Sequence, residues 1–235
     1  MTDHTHKKFD IEMEAIRSGV LSMGGLVETQ LSRAITLLEE DESAMMLDQV
    51  GADERLINQM QVDMDQQCSQ IIAKRQPAAI DLRMILTVTK IVNDLERIGD
   101  ETKKVAYKAS EGSGHHRLAQ MRSFDVARSA ERARGMLQLA LDAFARLDPM
   151  AAAQVVGLDE ELDAAFSATM RQLISYMMED PRTITSALEV VFIAKSIERI
   201  GDHAKNIAEA VVQLVKGKDV RHATAEQIRA EVAEE

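Results

Sequence analysis

Two carboxylates four residues apart occur twice in this chain within matching stretches. The stretches are Leu95-Glu96-Arg97-Ile98-Gly99-Asp100 and Ile197-Glu198-Arg199-Ile200-Gly201-Asp202. Residues i and i+4 of a helix are neighbours on one face, so each pair sets like charges side by side at a cost. A bound cation removes that cost. Clusters of oxygen donors from several helices suit hard or intermediate cations such as Mg²⁺, Mn²⁺, Ca²⁺ or iron, and they also hold Zn²⁺. The return of Glu-Arg-Ile-Gly-Asp about one hundred residues later implies duplication of a whole unit.

Four more carboxylates fall into the same frame. Glu28 follows Val27 in the first helical stretch, and Glu131 follows Ala130 in the fourth. Asp53 and Asp159 stand near the starts of the second and fifth. With a rise of about 1.5 Å per residue, counting from the inter-helix turns brings these residues level at one end of each half. The competing reading is ordinary solvated surface, with Arg97 and Arg199 as local partners. Three features weigh against it. The pairs repel, Gly99 and Gly201 sit inside helices at a cost of about 1 kcal/mol relative to Ala, and the whole constellation is duplicated, glycine included.

The elements that position these residues are helices. Apolar residues step by three and four through Met84, Val88, Ile91, Leu95, Ile98, Thr102 and Val105. They do so again through Ile193, Ile197, Ile200, Ala204, Ile207, Val211 and Leu214. Such a heptad seam packs long helices at shallow angles. Six stretches are predicted: roughly 8–39, 43–74, 79–110, 117–146, 150–178 and 182–215. Breaks fall at Asp41-Glu42-Ser43, Gln76-Pro77, Glu111-Gly112-Ser113-Gly114, Asp148-Pro149 and Asp180-Pro181. Short loops force antiparallel neighbours, giving an all-α chain of two tandem antiparallel three-helix bundles. The first repeat spans 1–112 and the second 115–217, with a polar tail over 218–235. That tail is expected to be loosely held, with one short helix at most. Each carboxylate pair lies one step beside its seam, not within it.

Composition narrows the function classes. The chain is 46% hydrophobic but only 3% aromatic, with no Trp and three Pro among 235 residues, as long helices require. A formal net charge of −11 disfavours nucleic acid, whose phosphates need a basic surface. Cys68 stands alone, which excludes an internal disulfide framework and suits a reducing cytoplasm. The first residues lack the apolar core of a secretory signal, and no run approaches the length of a membrane span. A cytosolic protein without membrane insertion is expected. A ferritin-type di-iron oxidase needs Glu-x-x-His in the bundle core, and the third and sixth stretches contain none. His203, next to Asp202, is a candidate ligand or supporting contact. His4, His6, His115, His116 and His222 read as solvated, and the fourteen Met as core filling. Phosphate-cradling loops and nucleophile elbows are missing, so no enzyme is read here.

With these residues in place, the chain resembles the PhoU family of bacterial phosphate-uptake regulators over nearly its whole length. The resemblance rests on Met23-Gly24-Gly25-Leu26-Val27-Glu28, on Ile72-Ala73-Lys74-Arg75-Gln76-Pro77 leading to Asp81-Leu82-Arg83, and on the paired Glu-Arg-Ile-Gly-Asp segments. Asp142-Ala143-Phe144-Ala145-Arg146 and Tyr176-Met177-Met178-Glu179-Asp180 add to it. It implies bundles related by pseudo-twofold symmetry and multinuclear metal clusters on Glu/Asp-x-x-x-Asp pairs. Those pairs match Glu96/Asp100, Glu198/Asp202 and, on the fifth helix, Asp159/Asp163. The first half departs from the pattern. Ile57 stands four residues after Asp53, Glu54/Asn58 is a poorer substitute, and Lys104 stands where the second half has Asn206. Iron, zinc, manganese and magnesium are all compatible metals.

The same resemblance implies a negative regulator of phosphate uptake and of the phosphate-starvation response. Such a protein connects the ATPase subunit of the phosphate ABC transporter to a membrane sensor histidine kinase. A homodimer is also expected. Two alternatives from other classes compete with this adaptor. One is a metal-dependent phosphohydrolase or oxidase working at the clusters. The other is a helical scaffold whose carboxylates are merely solvated.

Overall fold

The computed structural model describes residues 2–39, 44–110, 124–221 and 223–233. Among the described residues the α-helices are α1 (Thr2–Glu39), α2 (Ala44–Arg75), α3 (Ala79–Ser110), α4 (Val126–Arg146), α5 (Pro149–Glu179), α6 (Ile184–Lys216) and α7 (Ala225–Ala233). A short 3₁₀ turn, Pro181–Thr183, leads into α6. The breaks at Asp41-Glu42-Ser43 and Gly112-Ser113-Gly114 lie outside the described residues, as do residues 117–123 of the fourth predicted stretch. His115, His116 and His222, together with the side chains of His4 and His6, also lie outside them.

Local chemistry sets the described boundaries. Asp148 caps α5, accepting the backbone N–H groups of Met150 and Ala151 at 3.0 Å, with Pro149 in the first turn where its missing N–H costs nothing. Asp180 caps the 3₁₀ turn in the same way through Arg182 N. Gly217 ends α6 in the left-handed region at φ 76°, where a side chain would be strained.

The expected seams are the cores. Val88, Ile91, Leu95, Ile98 and Val105 on α3, and Ile193, Ile197, Ile200, Ala204, Ile207, Val211 and Leu214 on α6, are buried. Helices α1, α2 and α3 pack on one another, as do α4, α5 and α6. The two bundles also pack together, chiefly through α3 against α6 and α1 against α4. Pairs along α3 and α6 fix their direction. Arg83 Nη1 donates to Leu214 O at 3.2 Å and Lys90 Nζ to Gln213 Oε1 at 2.8 Å. Asp94 meets His203 at 2.8 Å and Glu101 meets Arg199 at 2.9 Å. Rising numbers on one helix pair with falling numbers on the other, so the repeated segments lie antiparallel at the centre.

The C-terminal tail departs from expectation. Its α7 packs on α5 and buries Ala225, Ile228 and Val232, with Val220 ahead of it also buried. Those three residues, spaced by three and four, form an apolar stripe that the polar composition of the segment hides. Lys218 Nζ, 2.6 Å from Glu231 Oε1, ties the connector to the helix.

Candidate metal centre

In the second half, carboxylate oxygens of Asp159, Asp163 and Asp202 lie within 4.8 Å of one another. Asp159 and Asp163 are one turn apart on α5, and Asp202 faces them from α6. Gly201 makes the approach possible, because a Cβ there would run into Leu162 Cδ2 of α5. Asp159 is only 2% exposed. Its Oδ2 accepts from Lys205 Nζ at 2.6 Å, while its buried Oδ1 has no hydrogen-bond partner. Burial, then Glu198, Asp159 and Asp163, push the Asp202 carboxyl above its usual range. Burial, then Asp159 and Glu198, push Asp163 the same way. Glu198 therefore adds its charge to the cluster, although Lys195 Nζ holds its oxygens at 2.6 and 2.7 Å. Four carboxylates against two lysines leave negative charge that a cation would neutralise. The unpartnered buried oxygen and the all-oxygen donor set fit a hard divalent ion.

The first half builds a different site on the same frame. A Cβ at Gly99 would lie 3.2 Å from Glu54 Oε2, 3.3 Å from Gln30 Oε1 and 3.3 Å from Ile57 Cδ1. Glu54, 2% exposed, is the α2 carboxylate that meets Asp100. It accepts from Gln30 Nε2 at 3.2 Å and from Asn58 Nδ2 at 3.3 Å, and it shares a hydrogen bond with Asp100. Burial and that bond push its carboxyl up to about 7. The raised Glu54 carboxyl is the one that supplies the proton for that bond, since burial beside a like charge favours its neutral form. Glu96 stands beside Asp100, and its carboxyl is raised by burial and then by that neighbour.

The remaining sequence candidates lie elsewhere. Asp53, one residue before Glu54, is paired with Arg33 of α1. A shift of one residue turns a helical side chain by about 100°, which carries Asp53 to the flank and Glu54 to the cluster. Half-buried Glu28 feels Arg134 and Asp142 of α4, and burial raises its carboxyl. Glu131 is exposed and pairs with Arg134 at 2.7 Å. Both therefore belong to the α1–α4 side of the molecule. His203 reaches across to α3, with Nδ1 2.8 Å from Asp94 Oδ1. Asn206 joins the same oxygen at 3.2 Å. Gln30, Lys195 and Lys205 are contributors beyond the sequence candidates. An uncharged Gln on the α1 seam, three residues past Val27, carries no visible signal. The lysines do, standing three residues from Glu198 and Asp202.

These features define an all-helical tandem-repeat protein with a carboxylate site between the second and third helices of each repeat. The family model described as the PhoU domain matches residues 20–109 and again 126–211, so the chain belongs to the PhoU family. It is 44% identical over 236 residues to the phosphate-specific transport system accessory protein PhoU homolog of Pseudomonas putida, covering 99% of this chain and 90% of that one. It is 40% identical over 229 residues to the accessory protein PhoU of Escherichia coli (strain K12), covering 97% and 93%. The crystal structure of PhoU from Pseudomonas aeruginosa superposes with a TM-score of 0.81 at 43% identity, over 89% of this chain and 100% of that one. A regulatory PhoU from Streptococcus pneumoniae, at 24% identity and a TM-score of 0.78, shows the same fold over 90% and 99% of the two chains. The relatives are named as accessory proteins of phosphate-specific transport, a family not of enzymes, so the phosphohydrolase and oxidase alternatives are not favoured.

Proposed function

We propose that this protein is a negative regulator of phosphate uptake and of the phosphate-starvation response, acting as a metal-binding adaptor in the cytosol. It couples the ATPase subunit of the phosphate ABC transporter to a sensor histidine kinase and works as a homodimer. The observation that carries this reading is the match of both repeats, over nearly the full length, to accessory proteins of phosphate-specific transport. The second-half carboxylates support the metal part of it, since Asp159, Asp163 and Asp202 converge around a buried oxygen with no partner. Among the described residues no helix is long and apolar enough to cross a membrane. Contact with the transporter and kinase is then made from a helix face. A bound divalent ion would neutralise the cluster and tie α5 to α6, while Lys205 and Lys195 hold Asp159 and Glu198 in place.

The test is phosphate uptake in a host lacking its own copy of this protein, joined to co-precipitation of the purified chain with the transporter ATPase subunit. Supplying the chain is expected to lower radiolabelled phosphate uptake in phosphate-rich medium and to retain the ATPase subunit. Unchanged uptake with no retained partner would contradict the adaptor reading.

A further inference from the structure

Both halves carry the same Glu-Arg-Ile-Gly-Asp segment, but what packs over it differs. Ile57 and Leu162 occupy matching places, against Gly99 and Gly201. Three residues before each stands the buried acid, Glu54 or Asp159, and one residue after each stands Asn58 or Asp163. The second acid of the pair is therefore a carboxylate in one half and an amide in the other. We infer that metal is held in the second half alone, by Asp159, Asp163 and Asp202, while the first-half counterpart is closed to it by amide donors. This rests on the metal reading above and specifies where the ion sits.

The geometry separates the two sites at each position. A cation needs lone pairs directed at it. Glu54 has Nε2 of Gln30 on one oxygen and Nδ2 of Asn58 on the other, and Asp100 as a further hydrogen-bond partner. Binding there would have to expel N–H groups that already satisfy the carboxylate. Gln30 leaves its own buried Oε1 unpartnered, but a neutral oxygen does not replace the missing carboxylate charge. Asp159, by contrast, has one oxygen held by Lys205, and the other is buried without a partner. Among the described residues, the oxygens of three such side chains come within 4.8 Å at Asp159, Asp163 and Asp202, and Glu54, Glu96 and Asp100 form no such group. The number of carboxylates differs in the same direction: Asp159, Asp163, Glu198 and Asp202 in the second half, two of them held by lysines, against Glu54, Glu96 and Asp100 in the first.

The experiment is equilibrium dialysis of the full chain against Mn²⁺, with bound metal read by elemental analysis and helicity checked by circular dichroism. Glu54→Gln/Asp100→Asn is expected to bind as much Mn²⁺ as the parent, and Asp159→Asn/Asp202→Asn to lose nearly all of it. Asn58→Asp, which restores the second acid in the first half, is expected to add bound metal. Loss of Mn²⁺ in the first-half variant, or its retention in the second-half variant, would overturn the inference. A parent chain that binds no Mn²⁺ would overturn the metal reading itself. A chain that binds metal equally in both halves would leave that reading standing and sink only this one.

Discussion

Gly99 and Gly201 occupy the same position in the same repeated segment, yet they face different surroundings. Beyond Gly99 lie two oxygens, of Glu54 and Gln30, beside the Ile57 methyl; beyond Gly201 lie the methyl groups of Leu162 and Met136. The seam one step away shows no such divergence: Leu95 and Ile98 on α3 are as deeply buried as Ile197 and Ile200 on α6. Packing has held the two halves to one backbone plan, because cores tolerate little change in volume or polarity. The stripe beside the seam answers to a weaker constraint. It has diverged into a hydrogen-bonded carboxyl–amide network in one half and an open acidic triad in the other.

The largest effects test the part of the comparison where the halves agree. Ile98→Ala and Ile200→Ala each empty a fully buried site, and each is expected to cost about 3 kcal/mol in urea unfolding. Costs differing by more than twofold would break the equivalence of the two cores. The glycines should then separate the halves. Gly201→Ala forces Leu162 aside in a packed environment and is expected to destabilise by about 2 kcal/mol. At Gly99 the nearest atoms stand 3.2–3.3 Å away, and the better helix propensity of Ala offsets the crowding to within about 1 kcal/mol. Equal costs at the two positions would mean that the approach of α5 to α6 is no closer than that of α2 to α3.

A smaller effect is legible in pH. Glu54 has an ordinary value of 4.5 and is pushed to about 7 in the folded chain, so the folded state holds its proton more tightly than the unfolded one. Its contribution to stability is fully present below about 4.5 and is lost as pH rises through about 7. Urea midpoints across that window, compared with those of Glu54→Gln, should isolate the loss, because the amide has no proton to release. An unchanged slope in the variant would remove Glu54 as its source. Smallest of all is Arg97→Ala. Arg97 is exposed and 3.7 Å from Glu96, and its removal should change stability by less than about 0.5 kcal/mol. Arg199→Ala should cost more, since Arg199 reaches across the interface to buried Glu101 at 2.9 Å.

The fold was legible because its signal is repetitive. A period of three and four, sustained over α3 and α6, leaves little choice but long helices, and the duplicated segment places them in equivalent halves. Where the signal was short it was lost. The tail reads as loosely held with one short helix at most, because three apolar residues, Ala225, Ile228 and Val232, do not stand out against a polar background, yet they dock α7 on α5. The convergence of Asp159, Asp163 and Asp202 could be anticipated from spacing and resemblance. The choice between Asp53 and Glu54 could not, because adjacent residues on a helix differ only in azimuth. That azimuth is set by how α2 rotates to bury Val50, Ile57 and Met64. The pairing of Asp94 with His203 was equally hidden, since it depends on the register of α3 against α6.

The most direct test of unequal halves is a crystal of the full chain soaked in Mn²⁺ and measured for anomalous scattering. The account predicts a peak among Asp159, Asp163 and Asp202 and none beside Glu54 and Asp100. A peak of comparable height in both halves, or one confined to the first, would contradict it.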